Sequence, residues 1–315
     1  MPSPEQVLQR LDWTVVRRLD GLLQGDYRTL FHGFGLDLAE LREYQFSDDV
    51  RYIDWNVTAR MQTPYIRQYM EDREVTAWFL LDLSPSVDFG TVKTMKRNLL
   101  IDFVTVLARL LTRHGNRMGA IIYGGKVEKI IPAQGGKIQV LRLVNDLLSL
   151  PQLKHAPETN LAVLLETALR TLRRRSLVFI ISDFISAPGW EKPLGMLAQR
   201  HEVLAVRLYD PREIEMPDIG PVTFEDAETG AQLFIDTHDR KFRQRFIEAA
   251  RRREYTLNQV LQRHGVDILP LSTEGDMVNE IFRFTTLRKR RKMSPASFAR
   301  RNAGARPPST AARAA

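Results

Sequence analysis

Short runs of apolar residues alternate along this chain with longer stretches in which apolar residues recur every three or four positions. The runs that predict buried strands are TAWFLLDL, RMGAIIYG, KVEKIIPA, SLVFIISDF, EVLAVRLYD and VDILPLS. The periodic stretches predict amphipathic helices over about 92–115, 136–150, 160–175, 237–264 and from about 275. Apolar strands separated by helices are typical of a parallel sheet covered on both faces. The pattern therefore predicts a doubly wound, mostly parallel α/β sheet.

Three regions depart from this alternation. A helix predicted over about 4–24 is followed by polar, aromatic-rich sequence from Gly25 to Glu74 with little helical period. Further on, residues 221–236 predict a hairpin that turns at Thr229-Gly230. We therefore expect three parts, namely an N-terminal helix and extension over 1–75, the α/β domain over 76–292, and a disordered basic tail over 293–315.

Composition narrows the chemistry that the chain can carry. The sequence has no cysteine, which excludes disulfides, thiol nucleophiles and thiolate metal sites. Its six histidines are scattered, with no pair at helical ligand spacing, so a hard cation held by oxygen ligands is the remaining metal chemistry. No apolar run approaches the roughly 18 residues of a membrane span, and the N-terminus lacks the apolar core of a signal peptide. We expect a cytoplasmic protein without a membrane partner.

The net charge of +8 comes from one end of the chain. Nine of the 46 basic residues and no acidic residue lie between Arg288 and Ala315, so the rest of the chain is nearly neutral. The tail composition, rich in Ala, Arg, Pro and Ser, is typical of a solvated extension. Nucleic-acid binding through this tail stays open as an alternative, and we favour a solubilising role.

Polar side chains follow two of the predicted strands, where ligands bind in doubly wound sheets. Asp82, Ser84 and Ser86 follow the first sheet strand, Asp183 follows VFIIS, and Thr159 lies in the loop that opens an intervening helix. Each of these residues alone is common at a strand-to-helix turn, where Asp, Ser and Thr cap helices. Together they bring two carboxylates and three hydroxyls towards one sheet edge, which predicts a metal site.

This set resembles the metal-ion-dependent adhesion site of von Willebrand factor type A domains, whose pattern is Asp-x-Ser-x-Ser, then Thr, then Asp. The resemblance implies that Mg²⁺ or Mn²⁺ is bound by Asp82, Ser84, Ser86, Thr159 and Asp183. Mg²⁺ prefers six oxygen ligands and gives up its waters reluctantly. Three neutral hydroxyls leave the ion electron-poor, so a partner protein's Asp or Glu is expected to supply an outside ligand. Such a site docks a partner and does not catalyse a reaction.

A second motif, residues 41–74, alternates acidic, basic and aromatic residues ahead of the first sheet strand. Its candidate functional residues are Arg42, Tyr44, Asp48, Asp49, Arg51, Asp54, Trp55 and Arg60. They favour a rigid platform in which bidentate ion pairs are shielded by aromatic rings. The alternative is a Mg²⁺-dependent hydrolase or nuclease that uses Asp48, Asp49 and Asp54, although no histidine or lysine base adjoins them.

This string resembles the signature of the bacterial Domain of Unknown Function 58 family, whose members carry it ahead of a von Willebrand factor type A-like domain. A patch at 208–230 is also similar, and the resemblance extends from about Gly25 to Thr273. It implies an adaptor or cochaperone that works with a MoxR-type AAA+ ATPase and its client. The chain lacks the Gly-x-x-x-x-Gly-Lys-Ser/Thr loop, so the ATPase must be a separate protein. We therefore predict a non-enzymatic, metal-dependent protein-interaction module.

Overall fold

A computed structural model describes residues 3–19, 40–46, 48–68, 75–91, 93–153 and 156–292. The predicted tail at 293–315 lies outside the described residues, as do residues 20–24 at the end of the first predicted helix. The strands are β1 (Glu40–Glu43), β2 (Tyr65–Gln68), β3 (Thr76–Asp82), β4 (Arg117–Tyr123), β5 (Val127–Gln134), β6 (Leu177–Ser182), β7 (Glu202–Tyr209), β8 (Pro221–Glu225), β9 (Gln232–Asp236) and β10 (Asp267–Ser272). The α-helices are α1 (Pro4–Leu11), α2 (Trp55–Met61), α3 (Lys96–Arg113), α4 (Lys137–Ser149), α5 (Leu161–Thr171), α6 (Glu191–Arg200), α7 (Arg240–Arg263) and α8 (Met277–Lys292).

Six strands form the central sheet in the order β10-β7-β6-β3-β4-β5. All neighbouring pairs are parallel except β4 and β5, which form an antiparallel edge. The chain winds outward from β3 to β5 on one side and then from β6 to β10 on the other. The direction of winding therefore reverses between β3 and β6, and this is the position where doubly wound sheets bind ligands.

Alternate side chains of each central strand enter two different cores. On β3, Phe79 and Leu81 pack in one core, while Trp78 and Leu80 pack in the other. Helices α1, α3, α4 and α8 cover the first face, and helices α5, α6 and α7 cover the second. Burial on both faces explains why the strands are continuous apolar runs in the sequence. The predicted doubly wound, mostly parallel α/β fold is confirmed.

Some boundaries differ from the sequence-based prediction. The first helix passes into a π-helical stretch at Asp12–Val16. Helix α3 begins at Lys96 and not near residue 92, because the backbone amide and hydroxyl of Thr91 are bound by the carboxylate of Asp210, 2.9 and 2.7 Å away. This contact holds the preceding segment against the sheet as a loop. The hairpin is present as β8 and β9, and Gly230 has the positive φ of 71° that its turn requires.

The polar, aromatic-rich segment with little helical period contains four short elements among its described residues. Strands β1 and β2 pair antiparallel, and a 3₁₀ turn (Val50–Tyr52) and helix α2 lie between them. In the part of the chain that the structure describes, no helix combines the length and the apolar character needed to cross a membrane.

Candidate metal site

Asp82 ends the central strand β3 and is completely buried. Its Oδ1 accepts a hydrogen bond from the backbone amide of Ser84 at 3.0 Å, and its Oδ2 accepts one from the hydroxyl of Ser182 at 2.6 Å. Ser182 ends the adjacent strand β6 and accepts a hydrogen bond from the amide of Phe184 at 2.8 Å. These contacts fix the carboxylate of Asp82 between two strand ends at the point where the winding reverses.

Ser84 and Ser86 lie in the tight turn that follows β3. Their hydroxyl oxygens are 3.1 Å apart, and Ser84 is buried. Ser84 precedes the 3₁₀ turn Pro85–Val87, but its side chain makes no capping hydrogen bond, and helix α3 begins only at Lys96. The capping role that the sequence left open is therefore absent for this pair. Two adjacent hydroxyls beside a buried carboxylate are suitable oxygen ligands for a hard cation.

Asp183 follows β6 directly and is almost fully buried. Its Oδ1 accepts from the amide of Ile185 at 3.0 Å, and its Oδ2 lies 2.8 Å from the ammonium of Lys96, whose side chain is 0% exposed. Lys96 also binds Glu213 Oε1 at 2.6 Å. Phe184, the residue after Asp183, has a φ of 53°, a left-handed conformation that bulky residues rarely adopt. Lys96 and Glu213 are residues of this site that the sequence analysis missed.

Thr159 is completely buried, and the helix that follows it is capped by Asn160 instead. The hydroxyl of Thr159 donates a short hydrogen bond to Glu228 Oε1, and its amide donates to Glu228 Oε2 at 3.1 Å. The carbonyl of Thr159 accepts from the hydroxyl of Ser186 at 2.9 Å, which joins it to the loop after β6. Through this loop Thr159 lies at the same sheet edge as Asp183.

The two buried carboxylates differ in their charge balance. Burial and the nearby negative charge of Asp183 raise the pKa of Asp82 to about 6. Burial alone would raise the pKa of Asp183 too, but the ammonium of Lys96 outweighs this effect and lowers it. Among the described residues, no basic side chain forms an ion pair with Asp82. A cation next to Asp82 would balance this charge, so the residues present fit a divalent ion.

This imbalance predicts a pH dependence of the metal-free fold. A raised carboxyl pKa means that the folded state binds more protons than the unfolded state, so the free energy of unfolding should fall as pH rises from about 4 to about 6. The loss is on the order of 2–3 kcal/mol. Urea unfolding in chelator at several pH values checks this, with Asp82→Asn as the matched variant. Parallel pH profiles for the two proteins would contradict the assigned imbalance.

The signature segment uses its carboxylates to shape the backbone. Asp48 Oδ2 accepts from the amide of Gln45 at 2.7 Å, and Asp49 Oδ1 accepts from the amide of Arg51 at 3.0 Å. Asp54 is buried and caps helix α2 by accepting from two backbone amides, at 3.0 and 3.3 Å. The clearest role of these three residues is therefore to fix turns and a helix start.

We expected aromatic rings to shield the ion pairs of this platform, but Arg51 and Trp55 are both largely exposed to solvent. Arg51 Nε lies 3.3 Å from Asp49 Oδ1, but the arginine side chain is 86% exposed, so this ion pair contributes little stability. Trp55 is 70% exposed. Of the remaining platform residues, Tyr44 is half-buried, Arg60 is exposed, and Arg42 lies in β1 with its side chain outside the description.

We expect Asp54→Ala to lower the free energy of unfolding by about 1 kcal/mol, because the first turn of α2 loses its N-cap. Asp54→Asn is the matched control, since asparagine caps helices about as well and should be nearly neutral. Urea unfolding of the two variants measures the difference. Equal losses for both variants would show that the charge of Asp54, and not its capping bond, carries the effect.

Comparison with known proteins gives a family match over most of the chain. The family model described as "Protein of unknown function DUF58" matches residues 40–256. The uncharacterized proteins Rv1480 of Mycobacterium tuberculosis and Mb1516 of Mycobacterium bovis are each 37% identical over 289 residues, which is 92% of this chain and 91% of theirs.

Solved structures that align with the chain include BatB from Bacteroides thetaiotaomicron and the VWA domain of SpRpn10. The first has a TM-score of 0.44 and 12% identity and covers 69% of this chain and 99% of its own. The second has a TM-score of 0.39 and 10% identity and covers 66% of this chain and 94% of its own. The family-model match over residues 40–256 identifies this chain as a member of the DUF58 family.

Proposed function

We propose that this chain is a non-catalytic protein-interaction module that binds its partner through Mg²⁺ or Mn²⁺. We further propose that it works in the cytoplasm beside a MoxR-type AAA+ ATPase and the client of that ATPase. The observation that carries the metal proposal is the buried Asp82, which has no ion-pair partner among the described residues and lies beside two paired hydroxyls. The ATPase rests on the family resemblance alone.

Each proposed ligand has a distinct task. A bound ion supplies a hard, positively charged centre that accepts an oxygen ligand from outside. Asp82 contributes the negative charge that attracts the ion, and Ser84 and Ser86 contribute neutral oxygens. Thr159 adds a third hydroxyl, and Asp183, held by Lys96, adds charge that is already partly balanced. Because the set is only weakly anionic, the ion keeps affinity for a partner's Asp or Glu carboxylate.

Two observations favour binding over hydrolysis. No group of three or more His, Cys, Asp or Glu side chains is placed to hold a metal ion within the described ranges. In addition, Asp49 caps a 3₁₀ turn and Asp54 caps helix α2. The hydrolase alternative requires these same two carboxylates for metal binding. A two-metal reaction needs carboxylates that converge on the ions.

The proposal is tested by pull-down from a lysate of the source organism, with tagged protein in Mg²⁺ and in EDTA. We expect an AAA+ ATPase among the proteins retained in Mg²⁺ and its loss in EDTA and with Asp82→Ala. The same proteins in both conditions would contradict metal dependence. Nucleic acid retained in EDTA and lost on deletion of 293–315 would favour the tail alternative. Mg²⁺-dependent phosphoesterase activity that a folded Asp54→Asn variant lacks would favour the hydrolase.

A further inference from the structure

Glu228 makes a two-point contact with a proposed metal ligand from a distant part of the chain. It lies in the turn between β8 and β9, 69 residues after Thr159. One carboxylate oxygen accepts from the hydroxyl of Thr159 and the other accepts from its amide at 3.1 Å. Because Thr159 is completely buried, this carboxylate reaches the interior of the sheet edge.

The hairpin turn is built to present this side chain. Asp226 Oδ1 accepts from the amides of Glu228 and Thr229 at 3.1 and 2.7 Å, and the amide of Gly230 closes the turn on the Asp226 carbonyl at 2.8 Å. The carbonyl of Glu228 also accepts from the amide of Ala156 at 3.3 Å. The strand side chains of the hairpin are largely exposed, so the turn is the part of the hairpin that reaches the site.

The contact decides which way the hydroxyl of Thr159 points. A threonine hydroxyl has one proton to donate and two lone pairs, and only a lone pair can bind a cation. When the proton is directed to Glu228, both lone pairs are free for the site. Carboxylates that orient metal ligands in this way commonly change metal affinity 10–100-fold when they are removed.

We propose that Glu228 is a positioning residue of the metal site, which holds the hydroxyl of Thr159 in the orientation that binds the ion. The inference rests on the proposed metal site and extends it to the β8–β9 hairpin.

Titration calorimetry with Mg²⁺ and with Mn²⁺ tests the role. We expect Glu228→Ala to weaken metal binding by about 10–100-fold. Glu228→Gln keeps an oxygen that accepts from Thr159, so it should lose only the part of the metal affinity that is due to the charge of Glu228. Glu225→Gln is the matched control, because Glu225 is on the same hairpin, is exposed and contacts Gln232; it should bind metal like the wild type. The double variant Thr159→Val/Glu228→Ala should bind the metal ion no more weakly than Thr159→Val alone, because Glu228 acts through the hydroxyl that Thr159→Val removes.

A second measurement follows the contact without any metal. Hydrogen exchange of the Thr159 amide in EDTA should be faster in Glu228→Ala than in the wild type, while strand β3 keeps its protection. Wild-type metal binding with an unchanged affinity in Glu228→Ala would overturn the positioning role and leave the metal site standing. A wild type that binds neither ion would instead overturn the proposed metal dependence, and this inference with it.

Discussion

Replacing Lys96 with methionine is expected to lower the free energy of unfolding by about 3–5 kcal/mol, the largest change among those we predict. The substitution removes the only ammonium that is bound to Asp183 among the described residues. It also leaves the carboxylate of Glu213 without this ion-pair partner. Burial alone would lower the pKa of Lys96, but its two carboxylate partners raise it above the ordinary 10.5. The ion pair is therefore fully formed at neutral pH and is lost only as pH rises through that raised pKa.

Urea unfolding at pH 7 in chelator measures the loss. Lys93→Met is the matched control, because Lys93 is exposed and its ammonium donates to the carbonyl of Glu274 at 2.9 Å without an ion pair to any described residue; this change should cost less than about 1 kcal/mol. Adding Asp183→Asn to Lys96→Met should recover part of the loss, since the stranded charge is removed. If Lys96→Met unfolded at the same urea concentration as the wild type, Lys96 would not be the counter-ion of this site.

The second large effect is expected for Asp82→Ala, which should reduce Mg²⁺ and Mn²⁺ affinity by more than about 100-fold, a larger loss than removal of an orienting partner causes. Asp82 is the buried carboxylate of the site that lacks an ion-pair partner among the described residues, so its charge is the main attraction for the ion. The affinity of the wild type should rise as pH increases through about 6, because protonation of Asp82 competes with the metal.

Asp88→Asn is the matched control for this titration. Asp88 lies two residues after Ser86, but its carboxylate pairs with Arg97 Nη1 at 3.4 Å and not with the serines. Its replacement should leave metal affinity unchanged, and circular dichroism verifies that both variants are folded. Equal isotherms for the wild type and Asp82→Ala would show that Asp82 is not a ligand of the metal ion.

The sheet and the common edge at which Asp82 and Asp183 lie could be predicted because both depend on local sequence. Strands such as β3 and β6 are buried on both faces, so each appears as an uninterrupted apolar run, and the parallel arrangement brings their carboxyl ends together. Asp82 and Asp183 follow those runs directly. Their shared edge can therefore be predicted from the sequence.

The charges that complete the site were not predictable in the same way. Lys96 and Asp183 are 87 residues apart, and only the folded chain brings them together. One signal was present, because Lys96 lies on the same helical stripe as the buried Leu100 and Phe103, and a lysine on an apolar stripe requires a buried partner. Glu228 carried no comparable signal, since an acidic residue in a hairpin turn is ordinary.

The short elements of the signature segment were missed for another reason. Helix α2 has seven residues and no buried side chain, so it has no apolar stripe to detect. It is determined by the cap at Asp54 and by the pairing of β1 with β2. Single hydrogen bonds of this kind are harder to recognise in a sequence than the periodic apolar pattern of a buried helix face.

We expect this chain to need the metal ion for association with its partner but not for folding, and sedimentation of the purified chain with a MoxR-type ATPase from the same organism measures that association. The measurement is made in Mg²⁺ and in EDTA, with circular dichroism of the free protein in both. We expect a complex in Mg²⁺, its dissociation in EDTA, and an unchanged spectrum, because the two cores of the sheet are buried without any ion. A complex that is indifferent to EDTA, or a spectrum that collapses on chelation, would contradict it.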